Sequence, residues 1–209
     1  MKKVCNINNN TKEEWNSKWE HRLSTNNGLR NITTTGEGNG DLHIYEVASL
    51  KYIKNNCSIL EIGCGDGFYL KYIKDHFENI DEYGVDISDY GIQYAKEKYG
   101  IKCQAIKNLE KFTNRKFDII ICHQVIEHTD APKIFLDYIT SFLTDDGQLL
   151  LSSVTDQSNY DRMHTYCFDK QDFNRLLNKI FEDVKIEILD VPSRPKSQIL
   201  GIARIKKGK

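Results

Sequence analysis

Five short apolar runs, near residues 58–62, 82–86, 101–105, 117–122 and 148–153, are separated by longer segments in which apolar residues recur every three or four positions. Runs of that length, three of them (58–62, 117–122 and 148–153) rich in isoleucine or leucine, predict buried strands. The segments near 67–78, 89–99 and 132–143 predict amphipathic helices, with Leu70, Ile73 and Phe77, then Ile92, Ala95 and Tyr99, turned inward. Strand and helix alternating in this way predict an α/β domain with a parallel sheet and right-handed crossovers.

The flanks follow other patterns. Asp169 is placed to cap a helix with Phe173, Leu176, Leu177 and Ile180 inward, and strands are expected near 183–190 and 199–206. Pro192 to Lys196 is too short for a crossover helix, so these last strands must pair antiparallel. At the other end, Thr11 with Glu14 makes a capping-box spacing before a short helix that carries Trp15 and Trp19 on one face. Residues 24–40, ending in Gly36-Glu37-Gly38-Asn39-Gly40, read as a long loop, and the Asn-rich first ten residues as a loose lead. Asp41 is expected to cap a helix with Ile44, Val47, Leu50 and Ile53 at near-helical spacing. The chain therefore reads as a mobile cover over 1–40 followed by one folded domain over 41–209, with no internal repeat.

The chemistry gathers at the ends of the strands. The first run closes as Ile-Leu-Glu-Ile-Gly-Cys-Gly-Asp-Gly, and the second ends at Asp86 about twenty residues on. Glycines at 63, 65 and 67 let a strand turn sharply into a helix and let a ligand approach the backbone, while a carboxylate on the next strand end can take both hydroxyls of a ribose. Phe68 stands where the third glycine of a pyrophosphate-binding Gly-x-Gly-x-x-Gly would be, and no Gly-Lys-Ser/Thr follows. A nucleoside without a pyrophosphate fits this pattern.

Leu60 to Gly67 resembles motif I of the class I S-adenosylmethionine-dependent methyltransferases, and Gly84 to Ser88 resembles their motif II. Phe117 to Ile121 with Val125-Ile126-Glu127-His128 resembles the motif IV region, and Asp145 to Leu151 the turn and strand that follow. The resemblance covers roughly residues 55–155. It implies a Rossmann-like, doubly wound, seven-stranded sheet, mostly parallel with a reversed last strand. It also implies that Glu61, Gly63 and Gly65 line the methionine end of the donor and Asp86 holds the ribose. Ile87 would pack on the adenine, Asn108 or Leu109 would reach its edge, and the backbone around Cys122 and His123 would meet the methionine amino group.

The segment after the fourth strand is also similar to two metal-assisted branches, the ubiquinone-biosynthesis O-methyltransferases and the small-RNA 2′-O-methyltransferases, which carry Glu-x-x-Glu-His there. Glu127 and His128 match the last two positions, Gln124 replaces the first Glu, and His164 sits at the spacing of a further histidine in the second branch. The resemblance thus implies a divalent cation on Glu127, His128 and His164, with the amide oxygen of Gln124 as a fourth ligand. Loss of one carboxylate weakens a site for Mg²⁺, whereas two imidazoles suit Mn²⁺, Fe²⁺ or Zn²⁺. Two readings stay beside it: His128 as a metal-free general base, or Glu-His as a packed structural pair. His123 is an alternative base, whereas His21, His43 and His76 read as ordinary surface or helix residues.

Composition narrows the setting. The 209 residues are 39 % hydrophobic and 28 % charged, ordinary for a globular domain, and the net charge of −1 gives no basic footprint for nucleic acid. Cysteines at 5, 57, 64, 103, 122 and 167 form no Cys-x-x-Cys pair and read as free thiols in a reducing compartment. With no apolar leader and no run of membrane-spanning length, the expected location is the cytoplasm. Acceptor recognition is expected from the Trp15/Trp19 helix, the Gly-rich loop, residues 154–168 and the tip at Arg194 and Lys196, with Tyr160, Arg162, Tyr166 and Arg194 as candidate contacts. The combined expectation is an S-adenosylmethionine-dependent O-methyltransferase for a small metabolite or saccharide precursor, acting as monomer or homodimer. RNA 2′-O-methylation, N-methylation and a non-catalytic donor-binding regulator are the alternatives.

Overall fold

A computed structural model describes residues 2–3, 10–25, 42–107, 114–155, 163–190 and 197–205. The elements in chain order are β1 (Lys2–Lys3), α1 (Lys12–Thr25), α2 (Ile44–Leu50), β2 (Ser58–Ile62), α3 (Phe68–His76), β3 (Asp81–Asp86), α4 (Asp89–Tyr99), β4 (Cys103–Ala105) and β5 (Phe117–His123). A 3₁₀ turn (Ile126–His128) leads to α5 (Pro132–Thr140), β6 (Leu143–Val154), β7 (Tyr166–Cys167), α6 (Lys170–Leu177), β8 (Asp183–Leu189) and β9 (Gln198–Arg204).

Seven strands form one sheet in the order β4-β3-β2-β5-β6-β9-β8. The pairs from β4 to β6 are parallel, while β9 runs antiparallel to both β6 and β8, so the last strand is the reversed one. The terminal hairpin and the parallel core thus match the expectation. Alternation along β2 and β5 divides the interior. Ile59, Ile119 and Ile121 meet Leu70, Ile73, Ile92 and Ala95 of α3 and α4, and Leu60, Ile62, Ile120 and Cys122 meet Leu136, Ile139, Phe173 and Leu177 of α5 and α6. Burying both faces requires that near-continuous apolar runs serve as strands.

The chain moves outward from β2 to β4 on one side and from β5 onward on the other, so winding reverses between β2 and β5. The crevice outside the carboxyl ends of those two strands is where open α/β sheets bind ligands. Gly63 and His123 flank it.

Three local expectations change. Helix α1 spans 14 residues rather than a single short segment, with Glu14 N donating to Thr11 Oγ1 (3.2 Å) at its start. Helix α2 begins at Ile44 behind His43, whose N–H is taken by the Glu46 carboxylate (2.7 Å), while Asp41 lies outside the described residues. Its buried residues are Tyr45, Glu46 and Ser49, of which Tyr45 and Ser49 meet a polar nest around Tyr69 and His123, while of the expected stripe Val47 is 37 % exposed, Leu50 packs half-buried on the aliphatic core and Ile53, just past the helix, is buried in it. Asp169 does cap α6, accepting from Asp172 N (2.7 Å). The described cysteines 57, 64, 103, 122 and 167 are all free thiols. No helix among the described residues is long and apolar enough to cross a membrane.

Candidate active site

The glycine turn is pinned to the end of β3. Gly63 N and Cys64 N both donate to Val85 O (2.7 and 3.1 Å), and Gly65 N donates to Asp86 Oδ2 (2.8 Å). Gly63 and Gly65 have φ of 80° and 50°, the left-handed region that side chains resist. A Cβ at Gly63 would collide with Val125, and one at Gly65 with the indole of Trp19. Glycine is therefore required here twice over, by dihedral and by contact.

Asp86 is buried, and its other oxygen accepts from Ser88 N (2.8 Å). Burial pushes its carboxyl up to about 6, against the pull of the backbone N–H groups of Ser88, Gly65 and Ile87. Both carboxylate oxygens accept from backbone N–H groups, and an ionised carboxylate has about four lone-pair sites, more than these donors use, which suits a pair of ribose hydroxyls. Glu61 lies buried on β2 below the turn, and Ile87, half-buried, follows Asp86 at the rim. Asn108 and Leu109 lie outside the described residues, as do Gly36 to Gly40, Tyr160, Arg162, Arg194 and Lys196. Tyr166, another candidate contact, donates its hydroxyl to Asp130 O (3.1 Å).

Helix α1 lies along the crevice. Asn16 Oδ1 accepts from Ser88 Oγ (2.8 Å) and from Tyr90 N (3.2 Å), and Lys12 pairs with Asp89 at the start of α4. Trp19 covers Gly65, while Trp15 sets its ring edge-to-face on His128 with centroids 5.1 Å apart. One helix therefore touches both the glycine turn and the residues beyond β5.

Those residues form the second half of the site. Gln124 leaves β5 with φ of 55°, uncommon for a non-glycine residue, and is held by its N–H on Ser152 O (3.1 Å) and its amide on Ser152 Oγ (3.2 Å). The turn that follows buries Glu127 completely. Ser153 Oγ donates to Glu127 Oε2 (3.0 Å), Oε1 is buried without a hydrogen-bond partner, and burial pushes the carboxyl up to about 7. His128 Nδ1 lies 2.9 Å from Met163 O. A carbonyl can only accept, so the proton belongs on Nδ1 and Nε2 carries the lone pair. The His164 ring stands 4.9 Å from that of His128, and ligand atoms of Glu127, His128 and His164 lie within 4.8 Å of one another. A buried carboxylate oxygen without a donor, flanked by two imidazoles, suits a divalent cation of borderline hardness.

The His123 side chain turns to another neighbourhood. Its Nε2 lies 3.1 Å from Ser49 Oγ, its ring is set between Tyr45 and Tyr69, and burial, aided by the charge of nearby His43, pulls its pKa down to about 3. It is neutral at working pH and belongs to the nest under α2. Ser49 Oγ and Tyr69 Oη close that nest at 2.7 Å. Sequence reasoning missed Asn16, Ser152, Ser153 and Asn10. Serines within a strand, an asparagine on a helix and another in an Asn-rich lead carry no pattern that distinguishes them.

Comparison with known proteins gives the same direction. A family model described as a methyltransferase domain matches residues 60–149. The chain is 29 % identical over 125 residues to a ubiquinone biosynthesis O-methyltransferase of Coxiella burnetii, covering 54 % of this chain and 52 % of that protein. It is 30 % identical over 113 residues to a malonyl-[acyl-carrier protein] O-methyltransferase of Anoxybacillus flavithermus, covering 52 % and 42 %. It thus spans about half the length of the curated relatives it matches. Among solved structures, the N-methyltransferase NodS from Bradyrhizobium japonicum, in complex with S-adenosyl-L-homocysteine, superposes with a TM-score of 0.71 at 17 % identity, covering 92 % of this chain and 99 % of that one.

Proposed function

Since the chain belongs to the class I S-adenosylmethionine-dependent methyltransferases, we propose that it methylates a hydroxyl of a small metabolite or saccharide precursor, assisted by a divalent cation on Glu127, His128 and His164. The observation that carries this reading is the convergence of those three side chains beside the β2/β5 crevice. Oxygen as the acceptor atom is supported by the O-methyltransferases among the relatives, while NodS keeps N-methylation as the competing reading.

The donor brings a methyl group on an activated sulfonium, so the protein's task is to align, to exclude water and to manage one proton. Asp86 would fix the ribose through its free lone pairs, and Gly63 and Gly65 would let the methionine end lie against the backbone. Trp15 and Trp19 shield the crevice along its length. A cation, when bound, supplies Lewis acidity that lowers the pKa of an acceptor hydroxyl. Met163 O orients His128 and holds its proton on Nδ1, and Ser153 keeps Glu127 aimed at the imidazoles.

The same His128 geometry favours one rival, in which Nε2 takes the acceptor proton directly and no cation is needed. Exhaustive chelation with EDTA separates the two. Activity lost on chelation and restored by Mn²⁺, with His128→Ala and His164→Ala both inactive yet still binding S-adenosylhomocysteine, supports the cation. Full activity after chelation would leave His128 as a general base, whose removal costs about 10²–10⁴ in rate.

A further inference from the structure

The three side chains of the cluster come from two chain segments, the turn at Ile126–His128 and the stretch from Met163 to Thr165. Thr165 N donates to Glu127 O (2.7 Å), and His128 Nδ1 donates to Met163 O. A third tie comes from far away in sequence. Asn10 Nδ2 donates to His128 O (3.0 Å) and to Met163 O (2.9 Å), one carbonyl on each segment. Both partners only accept, so it is the amide nitrogen, with its two protons, that must face them. No hydroxyl could serve both carbonyls at once, since it has a single proton.

The same part of the chain grips the second segment again. Strand β1 pairs antiparallel with β7, Lys2 opposite Cys167 and Lys3 opposite Tyr166, immediately after His164. On its other side Asn10 runs into Thr11 and α1, whose Trp15 rests on the His128 ring. The N-terminal segment is thus built into the cluster on three sides.

We propose that Asn10 is a positioning residue for the Glu127–His128–His164 cluster, its carboxamide clasping the two ligand-bearing segments and thereby setting the cluster's affinity for a divalent cation. The proposal rests on the reading of that cluster as a cation site. Three partly desolvated polar groups do not converge without being held, and outer-shell partners of metal ligands are typically worth about 10–100-fold in metal affinity. Asn10 acts through the backbone carbonyls of His128 and Met163.

The test uses the full chain and the near-isosteric Asn10→Leu, with Asn10→Ala in case the larger apolar group misfolds. Mn²⁺ affinity is measured by titration calorimetry, exchange of the Thr165 amide proton without metal by NMR, and S-adenosylhomocysteine affinity as a control on the rest of the site. The expected result is Mn²⁺ binding weakened by about 10–100-fold and faster Thr165 exchange, with S-adenosylhomocysteine affinity unchanged. Asn10→Gln, which keeps the donor, should recover part of the loss. Unchanged Mn²⁺ affinity or unchanged Thr165 exchange would overturn the clasp while leaving the cation site standing. An equal loss of S-adenosylhomocysteine affinity would reassign Asn10 to general packing of the N-terminal segment and also overturn it. A flat wild-type Mn²⁺ isotherm would overturn the cation reading, and this proposal with it.

Discussion

Donor affinity should rise with pH through the titration of Asp86. In the apo protein this carboxyl is buried and pushed up to about 6. Between its ordinary value and 6, the folded chain therefore holds a proton that the unfolded chain has released. Its contribution to folding stability is greatest below the ordinary value and falls away as pH climbs through 6. Ribose hydroxyls act in the opposite sense, because as donors they favour the ionised form. If bound donor brings the pKa well below 5, affinity follows the ionised fraction, which is about a tenth at pH 5 and nine-tenths at pH 7 for a pKa near 6, so Kd improves about tenfold over that interval. Asp86→Asn removes the titration and the charge. Its affinity at pH 7 should drop by about 2–4 kcal/mol, roughly 30- to 1,000-fold, for charge-assisted bonds replaced by neutral ones. Calorimetric titration with S-adenosylhomocysteine at both pH values, on wild type and Asp86→Asn, checks this. A wild-type Kd that is flat between pH 5 and 7, or the same tenfold slope in Asp86→Asn, would refute the assignment of ribose binding to Asp86.

Gly65→Ala places a side chain at φ of 50° and against Trp19, so it should cost at least about 1–2 kcal/mol of stability; thermal unfolding measures it, and pairing it with Trp19→Ala should recover the part due to collision. Deleting residues 1–25 uncovers the crevice and removes the Asn16 and Trp15 contacts, and turnover should fall sharply; a truncated protein as active as wild type would reduce α1 to packing. His123→Asn should leave the pH–rate profile unchanged, because an imidazole held near 3 is already neutral where the enzyme works. A loss of two or more orders of magnitude in rate would instead make His123 the base.

Much of the fold was legible because it is written in repeated local signals. Strands β2, β3 and β5 stand within a residue of the apolar runs that announce them, and Gly63, Gly65 and Asp86 meet where a strand–turn–helix with a carboxylate on the next strand had to bring them. Helix α2 was misread for a physical reason. Its apolar residues recur at helical spacing, yet Tyr45 and Ser49 turn inward toward Tyr69 and His123. Periodicity reports the apolar stripe and is blind to a polar nest that satisfies its own hydrogen bonds.

What the sequence hid is contact between distant segments. His164 could be aligned with His128 only through resemblance, and in the structure the two meet because Met163 O and Thr165 N dock on the Glu127–His128 turn. The Asn-rich lead reads as loose, yet Asn10 joins two segments 118 and 153 residues away. Helix α1 makes the consequence general. Through Trp19 it rests on the turn that would hold the donor, through Asn16 on the residues beside Asp86, and through Trp15 on His128. Any ligand that moves this helix at one end changes its contacts at the other, so donor and cation should each alter the other's affinity by the same factor. Calorimetric titration of Mn²⁺ with and without S-adenosylhomocysteine measures that factor. Trp15→Ala should bring it toward one, and a factor of one in the wild type would mean that the two halves of the site work independently despite the helix they share.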